Sequence, residues 1–126
     1  MGREVIVTPS APAAIGPYSQ GIKANGFVFT AGQVGLDPAT GQLVEGDVTD
    51  QARQALLNIK AILEAAGTSL DKVVKATVFL KDINDFKRVN AVYAEFFAKD
   101  PPARSAFQAA ALPLGALVEI EVIALA

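Results

Sequence analysis

The sequence predicts an α+β fold, a mixed β-sheet packed on two α-helices. Two segments repeat apolar residues at helical spacing, and six shorter segments have the apolar patterns of strands. Their order along the chain is β-β-β-α-β-α-β-β. This pattern contains two helices, which are enough to cover only one face of a sheet. The length of 126 residues is typical of one domain, so we expect residues 1–126 to fold as a single unit.

Three predicted strands come before the first helix. The Asn25-Gly26 pair is the strongest short signal for a hairpin turn, so it joins two of these strands. In the strand that follows this turn, Phe27 and Phe29 share one face and Val28 lies on the other. The three segments are residues 4–7, 19–24 and 27–32.

The first helix is predicted from about residue 48 to 66, after a loop over residues 33–46. Asp47 or Thr49 can cap its start, and Gly67 occupies the position where a left-handed residue commonly ends a helix. Its apolar stripe consists of Ala52, Ala55, Leu56, Ile59, Ile62, Leu63 and Ala66.

The second half of the chain supplies one more helix and three more strands. Pro101 and Pro102 end the helix. The strands are residues 73–81, with Val74, Ala76, Val78 and Leu80 facing one way, and residues 104–111 and 117–125. The helix spans about residues 84–98, and its stripe consists of Phe86, Val89, Tyr93, Phe96 and Phe97.

The uncovered face of the sheet predicts self-association. Bulky apolar residues occur on both faces of the predicted strands, and 52% of all residues are hydrophobic. Because two helices cover one face only, we expect the other face to be buried against further copies of the chain.

Composition excludes several classes of chemistry and partner. The sequence has no His and no Cys, which removes Ser-His-Asp and Cys-His catalysis and the common zinc sites; no metal site is expected. A net charge of −2 with scattered basic residues argues against nucleic-acid binding. No apolar run is long enough for a membrane helix or a signal peptide, so we expect a cytoplasmic protein with no membrane partner.

Arg104 is the first candidate for a functional residue. It follows Pro101 and Pro102 at the start of a strand, and no carboxylate lies beside it on the strand side of the prolines. One interpretation is a salt bridge to a carboxylate elsewhere in the chain, or a side chain that reaches out to water. The other is a guanidinium that binds the carboxylate of a ligand through paired hydrogen bonds.

Glu119 and Glu121 share one face of the final strand, opposite Val118, Ile120 and Val122. Either glutamate alone is typical of a half-solvated strand. If this face is buried between copies, at least one carboxylate must pair, hold a water molecule or change its protonation state. A carboxylate that holds water can act as a general base.

Several further polar residues are weaker candidates. Tyr18 is typical of a surface tyrosine, and Asn90 lies on a helix flank where it faces solvent or caps backbone. The hydroxyls of Ser19, Thr30 and Ser105 cannot be distinguished by spacing.

The segment "PARSAF", followed by "LP" and "VEIEV", resembles the signature of the RidA (YjgF) family. The resemblance extends over nearly the whole chain, through "APAAIGPYSQG", "FTAGQVGLDPATGQL", "VVKATVFLKDINDF" and "VNAVYAEFF". It implies a chorismate-mutase-like fold and a homotrimer with three clefts between subunits. It also implies cofactor-free hydrolysis of 2-aminoacrylate, 2-iminopropanoate and 2-iminobutanoate to 2-oxo acids and ammonia.

The resemblance also implies roles for individual residues. Arg104 would bind the substrate carboxylate and Glu119 would position the attacking water. Tyr18, Asn90 and the backbone near Gly32 would line the substrate pocket.

Two residues depart from a common family pattern. Ala31 stands where many members have Ser, and Ala106 where many have Cys, so the polarity of the pocket is expected to differ. The alternative to an enzyme is a trimeric binding or regulatory protein that uses the same cleft without turnover. A ribonuclease role, sometimes attached to the family, fits poorly with a chain that has no histidine.

Overall fold

Two helices pack on one face of a seven-stranded sheet in the computed structural model, which describes residues 2–126. The helices are α1 (Val48–Ala65) and α2 (Phe86–Phe96). The strands are β1 (Glu4–Ile6), β2 (Gly21–Ala24), β3 (Phe27–Thr30), β4 (Gln33–Val34), β5 (Val73–Leu80), β6 (Ala103–Gln108) and β7 (Val118–Leu125). The predicted α+β class, with a mixed sheet and two helices, is confirmed.

The last strand, β7, lies in the middle of the sheet. The strand order is β1-β2-β3-β7-β5-β6, and β4 also pairs with β7. The β5–β6 pair is parallel because α2 carries the chain back between these strands. The remaining pairs within residues 2–126 are antiparallel. Consequently β6, which carries Arg104, is an edge strand.

The predicted hairpin turn is confirmed. Asn25 and Gly26 have positive φ angles of 51° and 83°, which the turn requires and which Asn and Gly adopt readily. The flanking strands pair with Ile22 opposite Phe29 and Lys23 opposite Val28. Val28 is fully buried under the helices, so the predicted division of faces in β3 is also confirmed.

Strand β4 lies inside a segment predicted as loop. Two residues are too few to produce a periodic pattern, so the sequence could not indicate this strand. The amide of Asn58 in α1 donates hydrogen bonds to the carbonyl oxygens of Val34 (3.3 Å) and Leu36 (2.9 Å). These bonds anchor the end of β4 and the following loop to the helix layer.

Helix α1 begins and ends as predicted. Asp47 is the N-cap and accepts a hydrogen bond from the Thr49 amide at 2.9 Å. Such a cap contributes about 1 kcal/mol. Gly67, just beyond the helix, has a φ of +86°. The predicted apolar stripe is buried throughout.

One predicted orientation in β5 is wrong. The alternation predicts that Val74 faces the core with Ala76, Val78 and Leu80, but Val74 is exposed and Val73 is buried instead. A register shift between Val73 and Lys75, where β5 pairs with β7, reverses the alternation at this end of the strand.

Helix α2 is shorter than predicted, because a 3₁₀ turn (Ile83–Asp85) precedes it. Val89, Tyr93 and Phe97 of the predicted stripe are buried, whereas Phe86 is 37% exposed. Phe86 is the first residue of α2 and lies beside the edge strand, where it contacts Arg104 and does not enter the core.

The face of the sheet opposite the helices carries exposed apolar side chains. Phe29, Phe107 and Leu125 are each more than 40% exposed, and the rings of Phe79 and Phe107 pack edge to face with centroids 5.1 Å apart. We call this surface the open face. Its apolar character is as predicted, and its burial against other copies stays a prediction. Among residues 2–126, no helix is both long enough and apolar enough to span a bilayer.

Candidate active site

A cavity of about 310 Å³ lies beside the Glu119 carboxylate, and we call it the Glu119 cavity. Four parts of the chain form it: the segment that precedes β2, the segment from the end of β3 through β4 to Leu36, the 3₁₀ turn Pro113–Gly115 and the start of β7. Its lining residues are Pro12, Ala13, Ile15, Tyr18, Ala31, Gly32, Gln33, Val34, Leu36, Pro113, Leu114 and Glu119.

Gly32 makes the position of Glu119 possible. A Cβ added at Gly32 would lie 2.9 Å from Cδ of Glu119, closer than nonbonded carbon atoms approach. Only a glycine therefore allows the carboxylate to lie against this part of the backbone.

The environment of Glu119 makes it a better base than an ordinary glutamate. Burial raises the pKa of the Glu119 carboxyl group, and the neighbouring charge of Glu121 raises it further. Glu119 is half-buried whereas Glu121 is exposed, so the structure distinguishes the two carboxylates that the sequence pattern left equivalent. A higher pKa means that the ionised carboxylate takes up a proton more readily.

Tyr18 lies at the mouth of the Glu119 cavity, with its hydroxyl accepting a 3.3 Å hydrogen bond from the Ile15 amide. The segment that carries these residues is held by Gln20, which is buried. The Gln20 side chain accepts a bond from the Thr8 amide (2.7 Å) and donates one to the Pro12 carbonyl (2.8 Å). Sequence analysis missed this role of Gln20, because a single glutamine gives no pattern.

Arg104 lies in a second group of residues, on α2 and β6. Its Nη1 donates a 2.8 Å hydrogen bond to Oδ1 of Asn90. Its Cζ lies 4.8 Å from the ring centroid of Tyr93 and 5.3 Å from that of Phe86. We call these four residues the Arg104 cluster. The rings attract the cation and restrict where the guanidinium can move.

The Arg104 cluster corrects two interpretations of the sequence. Asn90 does not face solvent or cap backbone; its side chain accepts the bond from Arg104. Within the described chain, no carboxylate lies within 4.0 Å of Arg104, so the salt-bridge alternative finds no partner there. The cluster also includes Phe86 and Tyr93, for which the sequence pattern predicts only a place in the apolar stripe of the helix. Phe86 lies four residues before Asn90 and Tyr93 lies three residues after it. This spacing is the sequence signal that places all three on one helix face.

Arg104 and Glu119 lie on opposite faces of the sheet. Arg104 is in register with Ala76 of β5, which is in register with Val122 of β7, and both of these residues are buried under the helices. Glu119 is in register with Phe79, which is in register with Phe107, on the open face. Within one chain, the structure therefore brings together Tyr18, Gly32 and Glu119, and separately Asn90 and Arg104.

The remaining polar candidates have structural roles. The Thr30 hydroxyl accepts a 3.1 Å hydrogen bond from the Val122 amide, and that of Ser105 accepts one of 3.1 Å from Lys75. Ser19 is half-buried beside Tyr18 and does not line the Glu119 cavity. In residues 2–126, no three His, Cys, Asp or Glu side chains cluster as metal ligands.

Comparison with known proteins gives one consistent result. The family model described as "Endoribonuclease L-PSP" matches residues 8–126. The chain is 59% identical to a RutC family protein of Pyrococcus horikoshii, over 97% of each chain. It is 57% identical to the 2-iminobutanoate/2-iminopropanoate deaminase of Bos taurus, over 97% of this chain and 89% of the bovine one.

The fold comparison agrees with the sequence comparison. The crystal structure of a Rid family protein from Yersinia pestis superposes with a TM-score of 0.96 at 52% identity. The match covers 99% of this chain and 100% of the Yersinia chain. Both the fold and the sequence therefore match over their whole length, and the chain belongs to the RidA family.

Proposed function

We propose that this protein hydrolyses 2-imino acids, such as 2-iminopropanoate and 2-iminobutanoate, and their enamine tautomers, to 2-oxo acids and ammonia. The observation that carries the proposal is the Arg104 guanidinium, held by Asn90 and two aromatic rings without a carboxylate partner in the described chain. A planar, charged fork in such a place is suited to the carboxylate of a small acid. Relatives named as imine deaminases support the assignment.

We further propose a homotrimer in which each site lies in a cleft between two copies. Arg104 and Asn90 come from one copy, and Tyr18, Gly32 and Glu119 come from the next. Two observations support this arrangement: the two groups lie on opposite faces of one sheet, and the open face exposes apolar side chains. Cyclic symmetry allows every copy to contribute both groups, each to a different cleft.

The proposed reaction needs few groups, because an imine carbon is already electrophilic. Arg104 binds the carboxylate, and Glu119 accepts a proton from water as the oxygen attacks C2. The proton then passes from Glu119 to the nitrogen of the tetrahedral intermediate. Glu119 next takes the hydroxyl proton of this intermediate and passes it to the same nitrogen, so that the carbonyl forms as the carbon–nitrogen bond breaks and ammonia leaves. Imine plus water thus gives 2-oxo acid plus ammonia. Acid–base catalysis of this kind contributes roughly 10²–10⁴-fold.

Two other functions make different predictions. A binding or regulatory protein would use Arg104 to hold a carboxylate and would show no turnover that depends on Glu119. Endoribonuclease activity, the wording of the family description, has weaker support, because the sequence has no histidine and a net charge of −2.

The test is a coupled assay in which a threonine dehydratase generates 2-iminobutanoate and the rate of 2-oxobutanoate formation is followed. We expect Arg104→Ala to lower kcat/KM by roughly 10²–10⁴-fold, since two charge-assisted hydrogen bonds of about 1.5–3 kcal/mol each are lost. Glu119→Gln should lower kcat by a similar factor. Arg53→Ala, which breaks only the exposed pair with Glu95, is the matched control. Unchanged turnover in the Arg104 variant would refute the assignment.

A further inference from the structure

Leu114 has an unusual backbone conformation for its residue type. Its φ and ψ are 60° and 19°, in the left-handed region. The other residues of positive φ besides glycines in the described chain are Asn25 and Asp100, whose short polar side chains tolerate that region. A leucine there is strained, and strain of this kind is concentrated at functional sites.

Packing within the chain does not offset the strain at Leu114. The residue is 58% exposed, although it is apolar. Pro113 before it and Gly115 after it, with a φ of +70°, fix a tight turn that presents the leucine side chain at the surface. The side chain therefore lies ready for a contact with something outside the chain.

The surface that Leu114 presents is a wall of the Glu119 cavity. Other walls are also apolar, with Ile15 near the mouth and Val34 and Leu36 deeper in the chain. Ala31 adds a methyl group to the lining. No Lys or Arg lines the cavity, and Glu119 is the charged group in it. A second carboxylate on a ligand would be repelled by Glu119 and left unpaired.

We propose that Leu114 is a specificity-determining residue that contacts the side chain of the substrate and favours longer apolar side chains, such as that of the leucine-derived imine, over a methyl group and over charged side chains. This inference rests on the proposed function. When Arg104 holds the carboxylate and Glu119 holds the water at C2, the substituent on C2 extends into the cavity beside Glu119. An acidic side chain is disfavoured there.

The expected effect follows from burial of hydrocarbon. One methylene in an apolar pocket changes kcat/KM by about 10–200-fold. Truncation of Leu114 to Ala leaves part of the cavity wall in place, so we expect a loss of roughly tenfold for a leucine-derived imine. The alanine-derived imine, whose methyl group does not reach the wall, should change by less than about twofold.

The experiment measures the ratio of kcat/KM for leucine-derived and alanine-derived imines, both generated in place by an L-amino-acid oxidase. The variants are Leu114→Ala, Leu114→Asn and Leu114→Lys. Leu57→Ala removes a similarly exposed leucine from α1, outside the Glu119 cavity, and is the matched control. We expect the ratio to fall in all three Leu114 variants, and Leu114→Lys to gain activity toward the glutamate-derived imine. Leu114→Asn should unfold at the same temperature as the wild type or higher, because Asn tolerates the left-handed conformation.

A binding measurement separates failure of this inference from failure of the proposed function. Calorimetry with 4-methyl-2-oxopentanoate and 2-oxopropanoate, the products, gives a ratio of Kd values without turnover. If the wild type turns over no imine, the proposed function fails, and a Kd ratio that depends on Leu114 still supports the role of Leu114. An unchanged ratio in both measurements overturns the inference. Equal losses for all ligands together with dissociation of the oligomer also overturn it, because Leu114 would then be an interface residue.

Discussion

Arg104 and Glu119 lie on opposite faces of one sheet, with β5 between the strands that carry them. Two strand spacings and three residues along β7 separate their backbones by roughly 10 Å in each direction. Within a single chain, a small acid held by the Arg104 guanidinium therefore cannot place its C2 atom beside the Glu119 carboxylate.

Phe86 should position Arg104. Phe86→Leu keeps the apolar bulk but removes the aromatic ring 5.3 Å from the guanidinium. A cation–π contact contributes about 0.5–2 kcal/mol, so we expect KM for 2-iminobutanoate to rise roughly 2–30-fold with little change in kcat. Phe86→Tyr keeps a ring and should restore KM. If both variants lower kcat and leave KM unchanged, Phe86 does not act through carboxylate binding.

The pH dependence of kcat/KM should have an acid limb above the range of an ordinary glutamate. The base must be ionised, and burial together with Glu121 raises the pKa of Glu119, so activity is lost at a higher pH as the solution is acidified. Glu121→Gln removes one cause and should move the limb to lower pH. Burial, the larger cause, remains, so the limb should stay above the ordinary value. Both proteins are assayed with the same substrate, so ionisation of the substrate contributes equally to the two pH profiles and does not affect the difference between them. A limb that stays in place in Glu121→Gln would show that another group titrates.

Gly32→Ala should displace the Glu119 carboxylate, because the added Cβ would lie 2.9 Å from Glu119 Cδ. We expect kcat to fall at least tenfold, because a misplaced base loses part of the roughly 10²–10⁴-fold contribution of acid–base catalysis. The double variant Gly32→Ala/Glu119→Gln tests the cause. If Gly32 acts through Glu119, the double variant is no slower than Glu119→Gln alone. Additive losses would mean that Gly32 has a separate role.

Much of the fold could be predicted from the sequence, because periodicity and turn chemistry act locally. The α1 stripe, the Asn25-Gly26 hairpin and the alternation along β7 each need only neighbouring residues, and each is confirmed. The inward position of Val73 depends on how β5 pairs with β7. Pairing between distant strands is not encoded in the spacing of one strand, and so Val74 was misplaced.

The candidate site was less predictable than the fold. Arg104 and Glu119 were identified from their residue types and from the family signature, but their placement on opposite faces depends on the register of three strands. The contacts of Arg104 with Phe86 and Tyr93 depend on how α2 crosses the sheet edge. Leu114 gave no signal, because a left-handed leucine in a loop looks like any other loop residue in sequence.

The central claim, that each site takes Arg104 from one copy and Glu119 from the next, is tested most directly by mixing two inactive variants. Arg104→Ala and Glu119→Gln are co-assembled in equal amounts, and native mass spectrometry verifies that mixed oligomers form. Random assembly puts an intact Arg104 opposite an intact Glu119 in about one quarter of the clefts. We therefore expect about one quarter of wild-type activity in the mixture, although the activity of each variant alone is roughly 10²–10⁴-fold below that of the wild type. Mixed oligomers that recover no activity would contradict a site shared between copies.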